Sequence, residues 1–343
     1  MKKFVSITAA ITSMTLLLST APITYAQSNE SSAVQDEQST LKLDKKATKL
    51  LTDAITKLAG KQTIQFTSVD TSFVDASYNE WHIDATLTGT AKADVSQRYD
   101  PKKGQVTSTL ISYAGDDLNK VMDEALRTKI TTFLNTFDND KKFEVEGFWR
   151  VNHLERENGL KNYWVIWGTK QSLYVDLDHN NQMSASIQYK IQDARAALTN
   201  KARNSLKTLG ISTVKPFDYA LLTKANNDTL WKYQDDSSLN YVHIGSNTGK
   251  VWKVENELGK DWNNDADFKK SFAKPKLSQS KALSVAASKV KSIFGLNLKG
   301  YSVHIKDNEY TFKKKGATTI VGKINKKGAF FSFEAIPTNG VRN

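Results

Sequence analysis

The chain has 343 residues, 48 Lys and Arg against 36 Asp and Glu, a net charge of +12, 39% hydrophobic residues and no cysteine. Without cysteine there is no disulfide, no thiolate metal site and no cysteine nucleophile. The length exceeds one ordinary domain, and the charge is uneven: residues 275–343 hold 13 basic residues against Asp307, Glu309 and Glu334, while residues 27–274 hold 33 of each sign.

Lys2 and Lys3 precede an apolar run from Phe4 to Leu18, and small residues lead on to Ala26. A charged start, a short apolar core and a small-residue exit predict a secretory signal peptide over residues 1–26. The run falls short of the ~20 apolar residues that span a bilayer. No transmembrane segment is expected after cleavage, and the closing stretch AIPTNGVRN offers no hydrophobic anchor. The polar residues 27–42 read as a disordered leader.

Asp44 then caps a helix in which Ala47, Leu50, Leu51, Ala54, Ile55 and Leu58 recur at helical spacing, and Gly60 closes it. Strands follow in WHIDATLT and in VSQRYDPKKGQVTSTLI, a hairpin turning at Asp100-Pro101 and Gly104. A second helix begins after Asp116-Asp117, with strands in FEVEGFWRVN, NYWVIWG and SLYVDLDHNNQMSASIQYKI. In NYWVIWG, Tyr163, Val165 and Trp167 face one way and Trp164 and Ile166 the other, so this strand needs cover on both sides. A third helix, about Ala194 to Leu209, stops at Gly210 and leads to TLWKYQ and the hairpin LNYVHIGSNTGKVWKVE. The acidic stretch ENELGKDWNNDADF reads as a solvated connector. A fourth helix opens at Ser278 or Ser280, ends before Gly295, and leads to YSVHIKD, EYTFKKK and KKKGATTIVGKINKKGAFFSFE.

The order of one helix and then three or four antiparallel strands thus occurs four times. The expected fold class is α+β: tandem repeats of one helix packed on its own 3-4-stranded antiparallel sheet. The boundaries are repeat 1 at 43–114, repeat 2 at 115–191, repeat 3 at 192–258, an acidic linker at 259–276, a basic repeat 4 at 277–337 and a tail at 338–343. Units of ~70 residues are marginal alone, so neighbours are expected to pack together.

VHIGSNTGKV at 242–251, RYDPKKGQV at 98–106, and SQSKALSVAASKV with VGKINKKGAF in the last repeat carry a helix stripe and a glycine-turned hairpin. This unit resembles the PepSY family and the related YcdB/YcdC-type repeats. Gln182 departs from the pattern, standing where the turn glycine belongs. The resemblance implies a cystatin-like fold, secretion, and a non-catalytic role beside peptidases or at the cell envelope. It supplies no catalytic motif.

The residues themselves offer little chemistry. The histidines are His82, His153, His179, His243 and His304, and none forms a zinc-binding pair. His82, His243 and His304 fall in alternating strands, on the side that alternation assigns to solvent. Asp176, Asp178 and Asn180 have the 1, 3, 5 spacing of a calcium loop, but Asn181 and Ile187 replace the required glycine and glutamate. A plain hairpin turn is the simpler reading. Glu255, Glu257, Asp261, Asp265 and Asp267 are a second weak calcium candidate. Trp149, Trp164 and Trp167 read as core in preference to a glycan platform. No cofactor and no catalytic residue is expected.

Lys313, Lys314, Lys315, Lys323, Lys326 and Lys327 flank the last hairpin. Lysines protect sheet edges, and a cluster of them also docks anionic surfaces. Nucleic acid is excluded by the expected secretion. The function read here is a secreted, non-catalytic binding protein of PepSY-like modules that modulates an extracellular peptidase by binding extended peptide at strand edges. The alternatives are an envelope-associated protein docking anionic wall polymers or lipid through its basic last module, and a hydrolase of unrecognised class.

Overall fold

The computed structural model describes residues 43–71, 80–137, 142–154, 159–210, 216–225 and 228–343. The expected signal peptide and leader lie outside the described residues. The fold is α+β, with six helices and sixteen strands among the described residues. It divides into two compact units, one of residues up to Ile111 with Val151–Asn162, the other of Ser112–Arg150 with Tyr163–Asn343.

In the first unit, helix α1 (Lys45–Ala59) starts where the Asp44 carboxylate accepts the Ala47 N–H at 2.7 Å. Strands β1 (Thr63–Asp70), β2 (Trp81–Thr88), β3 (Ala93–Asp100) and β4 (Gln105–Ala114) lie side by side in chain order. The helix stripe of Ala47 and Leu51 buries against Ile83 and Tyr99. Buried Gln97 ties the layers by donating to the Leu51 carbonyl at 3.2 Å. At the β3–β4 turn the Asp100 carboxylate accepts the N–H groups of Lys102 and Lys103, as the Asp-Pro signal leads one to expect.

The second unit holds a continuous sheet. The second expected helix is broken into α2 (Leu118–Val121) and α3 (Glu124–Asn135), because Met122 is extended and Asp123 caps afresh by accepting the Leu126 N–H. Strands β6 (Asn162–Gly168), β7 (Gln171–Asp176) and β8 (Gln182–Lys190) follow beside the Gly147–Arg150 part of β5 (Gly147–His153). Tyr163, Trp164, Val165 and Ile166 are all buried, so β6 is covered on both faces. After α4 (Ala196–Leu209) come β9 (Tyr219–Ala225), β10 (Asp228–Gln234), β11 (Asn240–Gly245) and β12 (Val251–Asn256). Helices α5 (Asp265–Phe272) and α6 (Gln279–Phe294) precede β13 (Ser302–Lys306), β14 (Glu309–Lys313), β15 (Thr319–Ile324) and β16 (Phe330–Ile336). Among the described residues, four strands follow one or two helices four times along the chain.

Two expectations need correction. The stretches expected as repeats 2, 3 and 4 do not keep separate sheets. β8 pairs with β9 over seven positions, and β12 pairs with β16 at Lys253↔Glu334, Val254↔Phe333 and Glu255↔Ser332. An isolated four-stranded sheet leaves two rows of unpaired N–H and C=O groups, and joining edges satisfies them. The residues expected as a solvated linker contain α5, whose Phe268 and Phe272 pack with Trp262, itself 5.8 Å from Phe331.

The last quartet joins in reverse, so the order runs β9-β10-β11-β12-β16-β15-β14-β13. The final strands of two successive quartets therefore meet, and α4 and α6 lie together on one face of their shared sheet. Lys289 of α6 donates to the Thr208 and Leu209 carbonyls at 2.9 and 2.6 Å, closing the C-terminus of α4. Ala282, Ala286 and Val290 of α6 and Val242, Val254, Phe312 and Ile320 of the sheet are buried in the core. Gly322 lets Phe330 and Phe333 stack at 4.6 Å, since a Cβ there would stand 2.7 and 2.8 Å from their rings. Gly322→Ala is expected to lower stability by about 1–3 kcal/mol through overpacking, read as a lower urea midpoint at unchanged slope.

Candidate functional site

The side of the β9–β16 sheet that carries Lys232 and Lys253 is polar, and it brings charged residues into two neighbouring rows. The first row, strand by strand, is Leu221, Lys232, His243, Lys253, Glu334, Val321, Thr311 and His304. The second is Gln234, Tyr241, Glu255, Ser332, Lys323, Glu309 and Lys306. Period-two alternation places these residues on the side opposite Val242, Val254 and Phe333.

The seam between β12 and β16 is the densest part. Glu255 is buried and accepts from the Tyr241 hydroxyl at 2.6 Å and the Ser332 hydroxyl at 3.2 Å. Lys253 stands 3.5 Å from Glu255 and 3.7 Å from Glu334. Arg342 pairs with Glu334 at 3.2 Å. Burial alone would push the Glu255 carboxyl up, but Lys253, Tyr241 and Lys323 outweigh it and hold the group below its ordinary value. Burial and the Glu255 charge push the Tyr241 phenol far above its ordinary range.

His243 corrects the sequence reading. It is 4% exposed, and neither ring nitrogen has a hydrogen-bond partner among the described residues. It lies in register between Lys232 and Lys253, with the Tyr241 ring 5.5 Å away. Burial first, then the charges of Lys232, Lys253 and Arg342, hold the imidazole well below its ordinary value of 6.5. The segment expected to be a plain tail is built into this region. The Arg342 N–H donates to Asp228 at 2.6 Å and the Asn247 N–H to the Asn343 side chain at 3.0 Å. Gly245 makes room, since a Cβ there would sit 2.5 Å from the Arg342 carbonyl oxygen.

Five of the six lysines expected to dock an anionic surface fall into two groups, and Lys323 lies within β15. Lys313, Lys314 and Lys315 are exposed at the turn between β14 and β15, where Lys314 donates to the Lys299 carbonyl at 3.3 Å. Lys326 and Lys327 lie in the turn at the other end of β15, six residues away, or about 20 Å along a strand. Lys326 is paired with Asp267 at 3.0 Å. Lys323 stands between Ser332 and Glu309 in register. The first group adjoins β13, which bonds only to β14 among the described strands. Ser302, His304 and Lys306 of that edge are exposed, while Val303 is buried.

Asp176, Asp178 and Asn180 form a turn. The Asp176 carboxylate accepts the Asp178 N–H at 3.0 Å and lies 2.7 Å from His179 Nδ1, and Asn180 and Asn181 both take φ of 58°. The second weak calcium candidate is largely engaged by protein groups. Asp261 accepts the Lys326 N–H, and Asp267 accepts from Asn263 and Lys326. No group of three or more His, Asp or Glu side chains is placed to hold a metal among the described residues. No helix among them is long and apolar enough to cross a membrane.

Comparison of the chain with family models, with curated proteins and with solved structures finds no match.

The His243 environment has a pH consequence. Its folded value lies below 6.5, so under acid the unfolded chain takes a proton that the native state refuses. Its contribution is full above the unfolded value and is lost as pH falls from about 7 toward 5, at a slope approaching ~1.4 kcal/mol per pH unit. Denaturant titrations at several pH values should show this slope in the native chain and a shallower one in His243→Leu.

Proposed function

We propose that the chain is a secreted, non-catalytic binding protein of PepSY-like modules that takes an extended acidic segment of a partner protein onto the edge of β13. The observation that carries this reading is the edge itself. Among the described strands β13 has a bonded neighbour on one side only, and Lys299, Lys306, Lys313, Lys314 and Lys315 stand on or beside it. Added strands are held by main-chain hydrogen bonds, with side chains giving selectivity. The same lysines repel a second basic edge and so discourage self-association. Among the described residues four strands follow one or two helices four times over, which supports the tandem-module reading, and the PepSY resemblance makes an extracellular peptidase the leading partner.

A second reading, docking to wall polymers or anionic lipid, is favoured by the exposure of Lys313–Lys315. Near an anionic membrane each lysine contributes ~1 kcal/mol. The placement of Lys326 and Lys327 at the opposite end of β15, with Lys326 already paired, favours the peptide.

The test is hydrogen exchange on the full chain with an acidic eight-residue peptide and, separately, with anionic vesicles. The peptide should slow exchange along β13 and bind at least tenfold more weakly when Lys313, Lys314 and Lys315 are changed to Gln. Vesicle binding with no protection of β13 by peptide would contradict the peptide reading and favour the surface one.

A further inference from the structure

The polar side of the sheet holds an arrangement that strand-edge binding does not use. We infer that His243 and Lys232 form a binding site for a small carboxylate anion, bordered by Lys253 and Arg342. The site is separate from the β13 edge, because β13 is the fifth strand from β11 in the sheet order, about 24 Å at the usual strand spacing.

The argument begins with unmet hydrogen bonding. A neutral imidazole carries one donor and one acceptor, and leaving such a group buried and unpaired is costly. His243 is buried with both nitrogens unpartnered among the described residues. The nearby buried Glu255 carboxylate is engaged by Tyr241, Ser332 and Lys253. Lys232 lies directly opposite His243 in register. Its ammonium stands over the Tyr241 ring at 5.7 Å, and no carboxylate among the described residues pairs with it.

Charge sets the class of ligand. Around His243 stand the cations Lys232 on β10, Lys253 on β12 and Arg342 beyond β16, against Glu255 on β12 and Glu334 on β16. Lys323 stands farther along the second row, opposite Glu309. Lys253 and Arg342 are matched by the two glutamates, so one positive charge, that of Lys232, is left over. A single negative charge balances it. A carboxylate accepting from the Lys232 ammonium and the protonated ring nitrogen of His243 would satisfy both groups, and charge-assisted bonds of this kind are the stronger ones. Burial, with Lys253 adding to it, lowers the Lys232 ammonium below its ordinary value, and an anion beside it would reverse that strain.

The full chain is tested with sodium acetate against sodium chloride at fixed ionic strength, pH 7.5, reading the melting midpoint and the His243 ring-nitrogen shifts by NMR. Acetate should raise the midpoint saturably and move the His243 resonances. Lys232→Met should melt at or above the native chain without acetate and lose the acetate response. Lys270→Gln, an exposed lysine on α5, should keep it. A response linear in concentration, or equal in Lys232→Met, would overturn the site. So would unmoved His243 resonances, an outcome that needs no variant to fold. Saturation by sodium phosphate and not by acetate would overturn the single-charge assignment.

Discussion

The second unit depends on the pairing of strand edges. A four-stranded meander under one helix has a buried core but two open edges, and each open edge exposes backbone donors and acceptors at alternate residues. β8–β9 and β12–β16 remove four such edges by main-chain hydrogen bonding. The second junction also reverses the last quartet, and that reversal brings α4 and α6 together, so that Lys289 can close a neighbouring helix. The seam is therefore a packing feature on one face and an electrostatic feature on the other.

On the electrostatic side, two buried or half-buried glutamates lie between cations from three chain segments. Such networks gain little over apolar packing, yet breaking one partner leaves a charge uncompensated. Here the network joins β11, β12, β16 and residue 342, so it fixes register across the seam. His243 and Lys232 are the exceptions: they stand beside the network and are not satisfied by it. Local departures from full pairing of this kind are where binding chemistry is expected.

Much of this was legible in the sequence. Asp44 and Ser278 cap α1 and α6, and Gly60, Gly210 and Gly295 end α1, α4 and α6; β2 and β6 follow their alternating and two-faced patterns, except that Trp81 and Trp167 are half-buried. β1 escaped because a register shift between Phe66 and Ser68 breaks its alternation. β9 escaped because Ala220, Leu221 and Leu222 are buried in succession, which leaves no period to read. α5 was hidden by its acidic residues, although Phe268 and Phe272 have helical spacing. Alternation does put His243 on one side with Lys232 and Lys253. That this position is buried, with the charge of Arg342 acting on it from 99 residues later in the chain, is carried by no local pattern. The lysine positions were readable too, but their division between opposite ends of β15 follows from strand direction.

The central claim is that the last two quartets fold as one sheet across β12 and β16. Native-state hydrogen exchange in increasing denaturant tests it most directly. The account predicts that the amides of Val254 and Phe333 exchange with the same opening free energy as those of Val242 and Ile320, as members of one cooperative unit. Earlier opening at Val254 and Phe333, with the two quartets still protected, would show independent modules in loose contact and contradict it.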